Sequence, residues 1–142
     1  KKYLRKLTHR LGIGKETLFL GNIPLKEIGQ WYTHAQVTVL PSFFEGFGRS
    51  IVESYLFQTP VIATPFVSAK ELIKNEETGF ILSSFDNEKE LAQRLLFLLE
   101  FPNVATKMGK EGEKYVRNYI LPEEIYLGKL LEIWESTKKC GC

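Results

Sequence analysis

Pro41-Ser42-Phe43-Phe44-Glu45-Gly46-Phe47-Gly48-Arg49-Ser50-Ile51-Val52-Glu53 decides how this chain is read. The run before it, Val37-Thr38-Val39-Leu40, is β-rich without full polar alternation, the pattern of a strand buried on both faces. Pro41 ends that strand, because it has no N–H to give to a sheet. Two glycines then allow a turn, and after Gly48 the residues Ile51, Val52, Tyr55 and Leu56 recur at helical spacing. Glu53 falls off that apolar stripe, on the side it shares with Arg49. The stretch is a strand, a loop and the start of a helix, with Glu45 and Glu53 at its two ends.

The same alternation continues outward. Lys1–Leu11 is predicted helical, with Leu4, Leu7 and Leu11 on one stripe and Gly12 and Gly14 ending it. Thr17–Leu20 reads as a short strand, and Pro24 opens a helix to His34 that carries Ile28, Trp31 and Tyr32 on one face. Downstream, Val61–Thr64 reads as a buried strand. Ser68 with Glu71 matches a capping box, and Phe80–Leu82 is a fourth strand. Asp86 or Asn87 caps a helix with Leu91, Ala92, Leu95, Leu96 and Leu99 on its stripe. Pro102 starts another, in which Gly109 and Gly112 predict close packing. Pro122 opens a last helix with Tyr126, Leu127, Leu130, Leu131 and Trp134. Short strands alternating with helices predict an α/β fold, a Rossmann-like parallel sheet with flanking helices.

Composition narrows the class. The chain has 142 residues, 44% hydrophobic and 25% charged, which suits one soluble domain with a sizeable core. Its net charge of +2 is too small and too evenly spread to argue for nucleic acid. No apolar run is long enough to span a membrane, and the basic start is not a signal peptide. Cys140 and Cys142 stand one residue apart at the end, a poor spacing for a disulfide and too few ligands for a metal. Neither His9 nor His34 sits in a pattern that suggests catalysis. A first residue other than Met points to a piece of a longer chain.

The chemistry of the opening stretch follows from its parts. In open α/β sheets, ligands bind at the carboxyl ends of the strands. Gly46 and Gly48 let backbone N–H groups approach a ligand closely. The helix that follows turns its positive end to the same place and favours an anion. Arg49, a cation in a first helical turn, is poorly placed unless something negative faces it. A phosphate would satisfy both. The two carboxylates would repel a phosphate, so they need another partner, and neighbouring sugar hydroxyls are one. Phosphate flanked by hydroxyl-binding carboxylates suggests a nucleotide sugar. Taken singly the residues have plainer uses: the glycines can shape a turn, Glu53 can pair with Arg49 across one helical turn, and Glu45 can be a surface acid. The whole constellation on one strand, loop and helix favours the site.

These residues also carry a resemblance. Leu40-Pro41-Ser42, Glu45-Gly46-Phe47-Gly48, Val52-Glu53 and Pro60-Val61-Ile62-Ala63-Thr64 resemble the retaining glycosyltransferases of family 4, which have the GT-B fold. The likeness extends to Phe19-Leu20-Gly21, to Tyr32-Thr33-His34-Ala35, to Glu71-Leu72-Ile73 and to Gly79-Phe80-Ile81-Leu82. It implies that residues 1–142 are a single, partial nucleotide-sugar-binding domain, the C-terminal half of a GT-B fold lacking its first strands. By the same resemblance Glu45 is the catalytic candidate and positions the donor sugar. The backbone at Gly46, Phe47 and Gly48 meets the sugar and diphosphate, with Arg49 beside them, and Glu53 holds the ribose hydroxyls. The activity implied is transfer of a hexose from a nucleotide diphosphate sugar with retention, needing no metal and no other cofactor. It would occur only in the full-length enzyme, with an N-terminal acceptor domain.

One departure stands out. Where the family often has a Gly-Gly pair, this chain reads Phe66-Val67-Ser68-Ala69-Lys70-Glu71. The strands expected between Leu18–Leu20 and Val37–Leu40 are absent, so either a longer chain supplies them or the remaining strands close up. The expected location is cytoplasmic. Peripheral attachment to the inner membrane face through the acceptor is compatible with the basic start, although an ordinary solvated helix accounts for it better. The rival class is a non-catalytic nucleotide-sugar binding or regulatory module on the same scaffold. A structural piece that binds nothing and an epimerase are further alternatives.

Overall fold

A computed structural model of the protein describes residues 2–119. The helix expected from Pro122 and the cysteines Cys140 and Cys142 lie outside the described residues. The elements are, in order, α1 (Lys2–Arg10), α2 (Leu25–His34), β1 (Thr38–Leu40), α3 (Arg49–Leu56), β2 (Val61–Ala63), α4 (Val67–Leu72), β3 (Gly79–Ile81), α5 (Glu88–Glu100) and α6 (Pro102–Tyr119). The strands form a parallel sheet in the order β1-β2-β3, with Val39 opposite Ile62 and Ile62 opposite Phe80. The expected α/β architecture of a parallel sheet flanked by helices is present.

β2 shows why the sheet holds. It is the central strand, and all three of its residues are buried. Val61 and Ala63 point into one core with Ile51, Val52, Tyr55 and Phe66. Ile62 points the other way, toward Phe80, Leu82, Leu98, Ala105 and Met108. Alternate side chains of one strand thus feed two cores, one under α3 and α4 and one under α5 and α6. α6 serves both, since its Val116 lies in the first core and its Met108 in the second. The predicted close packing at its glycines is real. A Cβ on Gly109 would strike the Gln58 carbonyl, and one on Gly112 would strike the Tyr55 ring.

Four expectations are corrected. Thr17–Leu20 is not a strand: it has no regular secondary structure, and Leu18 is 70% exposed. A strand is held by its ladder of hydrogen bonds, and among the described residues this segment has no strand neighbour. The remaining strands therefore do not close up over the free edge of β1. For the same reason β1 is less enclosed than its sequence suggests, with Thr38 and Val39 only partly buried. Ser68 does not cap α4, which starts at Val67 after Phe66 with no side-chain cap. On α5, Leu98 is the buried residue, backed by Leu91 and Leu95, whereas Ala92, Leu96 and Leu99 face outward. Leucines on several faces of that helix offered more than one stripe. Asn87 is the cap of α5, its side chain accepting the Glu90 N–H at 3.1 Å.

Among the described residues no helix is long and apolar enough to cross a membrane. None of the residues of α1 is buried among the described residues, although Gly12, at φ +75°, ends it as expected.

Candidate nucleotide-sugar site

Three loops leave the carboxyl ends of the strands, and side chains tie them together. The Thr64 hydroxyl, just past β2, donates to the Leu40 carbonyl at 3.2 Å and also to the Ser42 carbonyl. The Ser68 hydroxyl, in the first turn of α4, lies 3.5 Å from the Glu45 carbonyl. The Phe43 ring stacks on Phe85 of the loop after β3, with centroids 5.5 Å apart. A shallow cavity of about 190 Å³ opens among these loops, lined in part by Pro41, Thr64, Leu82 and Phe85. A larger depression of about 620 Å³ runs along α5 beside Glu90 and Arg94, and neither Glu45 nor Glu53 lines either hollow. Loop position at the strand ends is the better guide here, because that is where an open parallel sheet presents backbone and helix ends to a ligand.

Gly48 sets the geometry of the opening stretch. Its φ of +82° lies in the left-handed region, and it stands as the N-cap of α3 without a side-chain hydrogen bond. The first turn of α3 is therefore not closed by a capping side chain. Gly46 faces open space: a Cβ there would meet nothing within 4 Å. Phe44 and Phe47 are exposed beside it.

The two carboxylates have different surroundings. Glu45 Oε1 accepts the Ser42 hydroxyl at 3.0 Å, which folds the side chain back along its own loop. Glu53 joins two helices. Its Oε1 lies 3.2 Å from Arg49 Nη2, and its Oε2 accepts the Tyr32 hydroxyl of α2 at 3.2 Å. Arg49 is 74% exposed and Glu53 22%, so the pair is a surface one, contributing a few tenths of a kcal/mol. Burial pushes the Tyr32 phenol above its ordinary 10, and the neighbouring Glu53 charge adds to this against a hydrogen bond from Ser50. The phenol thus stays a donor at any physiological pH.

The six residues singled out in the sequence, Glu45, Gly46, Phe47, Gly48, Arg49 and Glu53, lie on one loop and the helix after it. Arg49 meets Glu53, and Glu45 makes its contacts with Ser42 and Ser68 instead. Sequence reasoning missed Tyr32, Thr64 and Ser68. Tyr32 stands 21 residues before its partner, and its place on the apolar face of α2 suggested only packing. Among the described residues, no three His, Cys, Asp or Glu side chains gather as a metal site.

Comparison with known proteins bears on this geometry. Residues 1–115 match the family model described as glycosyl transferases group 1. The chain is 32% identical over 114 residues to a lipopolysaccharide core biosynthesis mannosyltransferase of Rhizobium leguminosarum bv. viciae, covering 80% of this chain and 32% of that protein. It is 28% identical over 135 residues to a D-inositol 3-phosphate glycosyltransferase of Thermomonospora curvata, covering 95% and 31%. The chain thus spans about a third of the length of these curated relatives. Among solved structures it resembles sucrose-phosphate synthase from Thermosynechococcus elongatus with a TM-score of 0.85 and 26% identity, over 96% of this chain and 34% of that one. Anabaena HepE, whose structure was solved with UDP, shares the fold at a TM-score of 0.81 and 23% identity, over 96% of this chain and 36% of that one.

Proposed function

The chain belongs to the glycosyl transferases of group 1, and from that membership we propose that its opening stretch binds the nucleotide diphosphate sugar from which a hexosyl group is transferred. The observation that carries this reading is the uncapped start of α3 at Gly48, with Glu45 on the loop before it and Glu53 one turn into it. The helix end and Arg49 suit the diphosphate. Glu53 suits the ribose diol, because a carboxylate accepts from two adjacent hydroxyls at once. Glu45, whose backbone α4 approaches, suits the donor sugar.

In this reading the chain is one partial, donor-binding domain, the C-terminal half of a GT-B enzyme of the retaining family 4. Transfer requires an acceptor-binding domain N-terminal to it. The bond from the anomeric carbon to the diphosphate oxygen breaks as an acceptor hydroxyl bonds to the same face of that carbon. The hydroxyl proton leaves with the diphosphate, and the configuration is retained. The backbone of Gly46, Phe47 and Gly48 lies along sugar and diphosphate, and the reading invokes no metal. The names of the relatives, a mannosyltransferase and a D-inositol 3-phosphate glycosyltransferase, support the reaction class.

Calorimetric titration of nucleoside diphosphates and their sugars tests the assignment. Glu53→Ala is expected to weaken ribonucleotide binding about tenfold, the loss of hydrogen bonds to a charged group. Unchanged binding would refute the ribose assignment. In the intact enzyme Glu45→Ala should lower the transfer rate, and an unchanged rate would make Glu45 a bystander.

A further inference from the structure

Glu53 is held from two sides. Arg49 reaches Oε1 from the same helix, and Tyr32 reaches Oε2 from α2. The two differ in rigidity. Arg49 is a long, exposed side chain, whereas Tyr32 is part-buried and anchored at several points. Its carbonyl accepts the hydroxyl of the buried Thr59 at 2.7 Å, and its ring stacks on Phe57 with centroids 6.1 Å apart. The Phe57 ring is 42% exposed, and its tip lies against Gly29 of α2, close enough that a Cβ there would push the ring aside.

We propose that Tyr32 is a positioning residue for sugar recognition, its hydroxyl orienting the Glu53 carboxylate toward two adjacent hydroxyls of a nucleotide ribose. Each carboxylate oxygen has two acceptor sites. Tyr32 occupies one on Oε2 and Arg49 one on Oε1, which leaves one on each oxygen. That remainder matches a diol. A carboxylate free to rotate would meet the diol only part of the time, and a fixed one meets it without further ordering. Tyr32 reaches the nucleotide only through Glu53, and the proposal rests on the donor reading given above.

Binding of UDP, GDP and ADP and of their 2′-deoxy counterparts is measured for the unmodified protein, Tyr32→Phe and Glu53→Gln, with thermal midpoints alongside. Tyr32→Phe keeps the ring and its stack on Phe57. The unmodified protein should prefer at least one ribonucleotide over its deoxy form. Tyr32→Phe should lower that preference about tenfold, close to the value for Glu53→Gln, while affinity for the deoxy form holds. A role in packing alone would weaken both forms together and leave the ratio intact, and that result would overturn the proposal. If the unmodified protein binds none of the nucleotides, or binds both sugar forms alike, the donor reading fails and the proposal with it. If the unmodified protein discriminates and Glu53→Gln does so equally well, Glu53 is not the ribose reader and Tyr32 has nothing to position.

Discussion

The Tyr55 hydroxyl meets the Thr78 hydroxyl at 2.9 Å in the interior, joining α3 to the turn before β3 across 23 residues of sequence. Burial pushes the Tyr55 phenol well above its ordinary value of 10, so the group stays neutral and hydrogen-bonded. Gly112 of α6 lies against the same ring. Tyr55→Phe should cost about 1 kcal/mol, the net value of one hydrogen bond, because Thr78 keeps its bond from the Lys74 N–H. Gly112→Ala should cost more, about 1–3 kcal/mol, since the added methyl must displace a packed ring. Urea midpoints at unchanged slope would measure both.

Gly46 and Gly48 should behave differently when given a side chain. Gly48→Ala forces an alanine into the left-handed region and should cost about 1–2 kcal/mol of stability. Gly46→Ala has open space and should leave the melting temperature nearly unchanged. If ligand does pass close to the backbone, Gly46→Ala should nevertheless weaken nucleotide-sugar binding. Full affinity in a stable Gly46→Ala protein would remove Gly46 from the site.

Thr64→Val should loosen the join between β2 and the loop. The substitution keeps the shape but removes the hydroxyl bonds to the Leu40 and Ser42 carbonyls. The Leu40 carbonyl still accepts the Thr64 N–H at 3.1 Å, so the Ser42 carbonyl takes the main loss. A destabilisation of about 1–3 kcal/mol is expected, with faster amide exchange after Pro41 than in β2.

Acid should expose the Glu90 contact. The Ser83 hydroxyl and N–H donate to Glu90 Oε2 at 2.6 and 2.9 Å and hold its carboxyl below the ordinary value of 4.5. A lowered folded-state pKa means that the stabilisation is complete above about pH 4.5 and is lost as the pH falls through the folded value. Melting temperature should therefore decline less steeply below about pH 4.5 in Glu90→Gln than in the unmodified protein. Equal slopes would show that Glu90 contributes nothing.

Much of the local structure around the candidate site was legible because it depends on neighbours in sequence. Strand, loop and helix from Leu40 to Glu53 follow from Pro41, Gly48 and the Ile51–Tyr55 spacing, and chain connectivity alone places Arg49 one turn from Glu53. What failed was whatever needed a partner. Thr17–Leu20 has the composition of a strand, but composition provides no neighbour to bond with. Ser68 with Glu71 has the spacing of a capping box, yet α4 begins one residue earlier and the Ser68 hydroxyl lies toward Glu45.

By itself, the sequence determined the alternation of strands and helices, a buried strand at Val61–Thr64, the glycine end of the first helix, a cap at Asp86 or Asn87, and the stretch that carries the candidate site. These rest on backbone preferences and on apolar periodicity, which act over a few residues. Only the tertiary structure decided which face of α5 is buried, that β1 has, among the described residues, a strand neighbour on one side, and that Tyr32 reaches Glu53 from another helix. Those depend on which surfaces meet after the chain has folded back on itself. A hydrogen bond between residues 21 apart in sequence leaves no periodic trace in it.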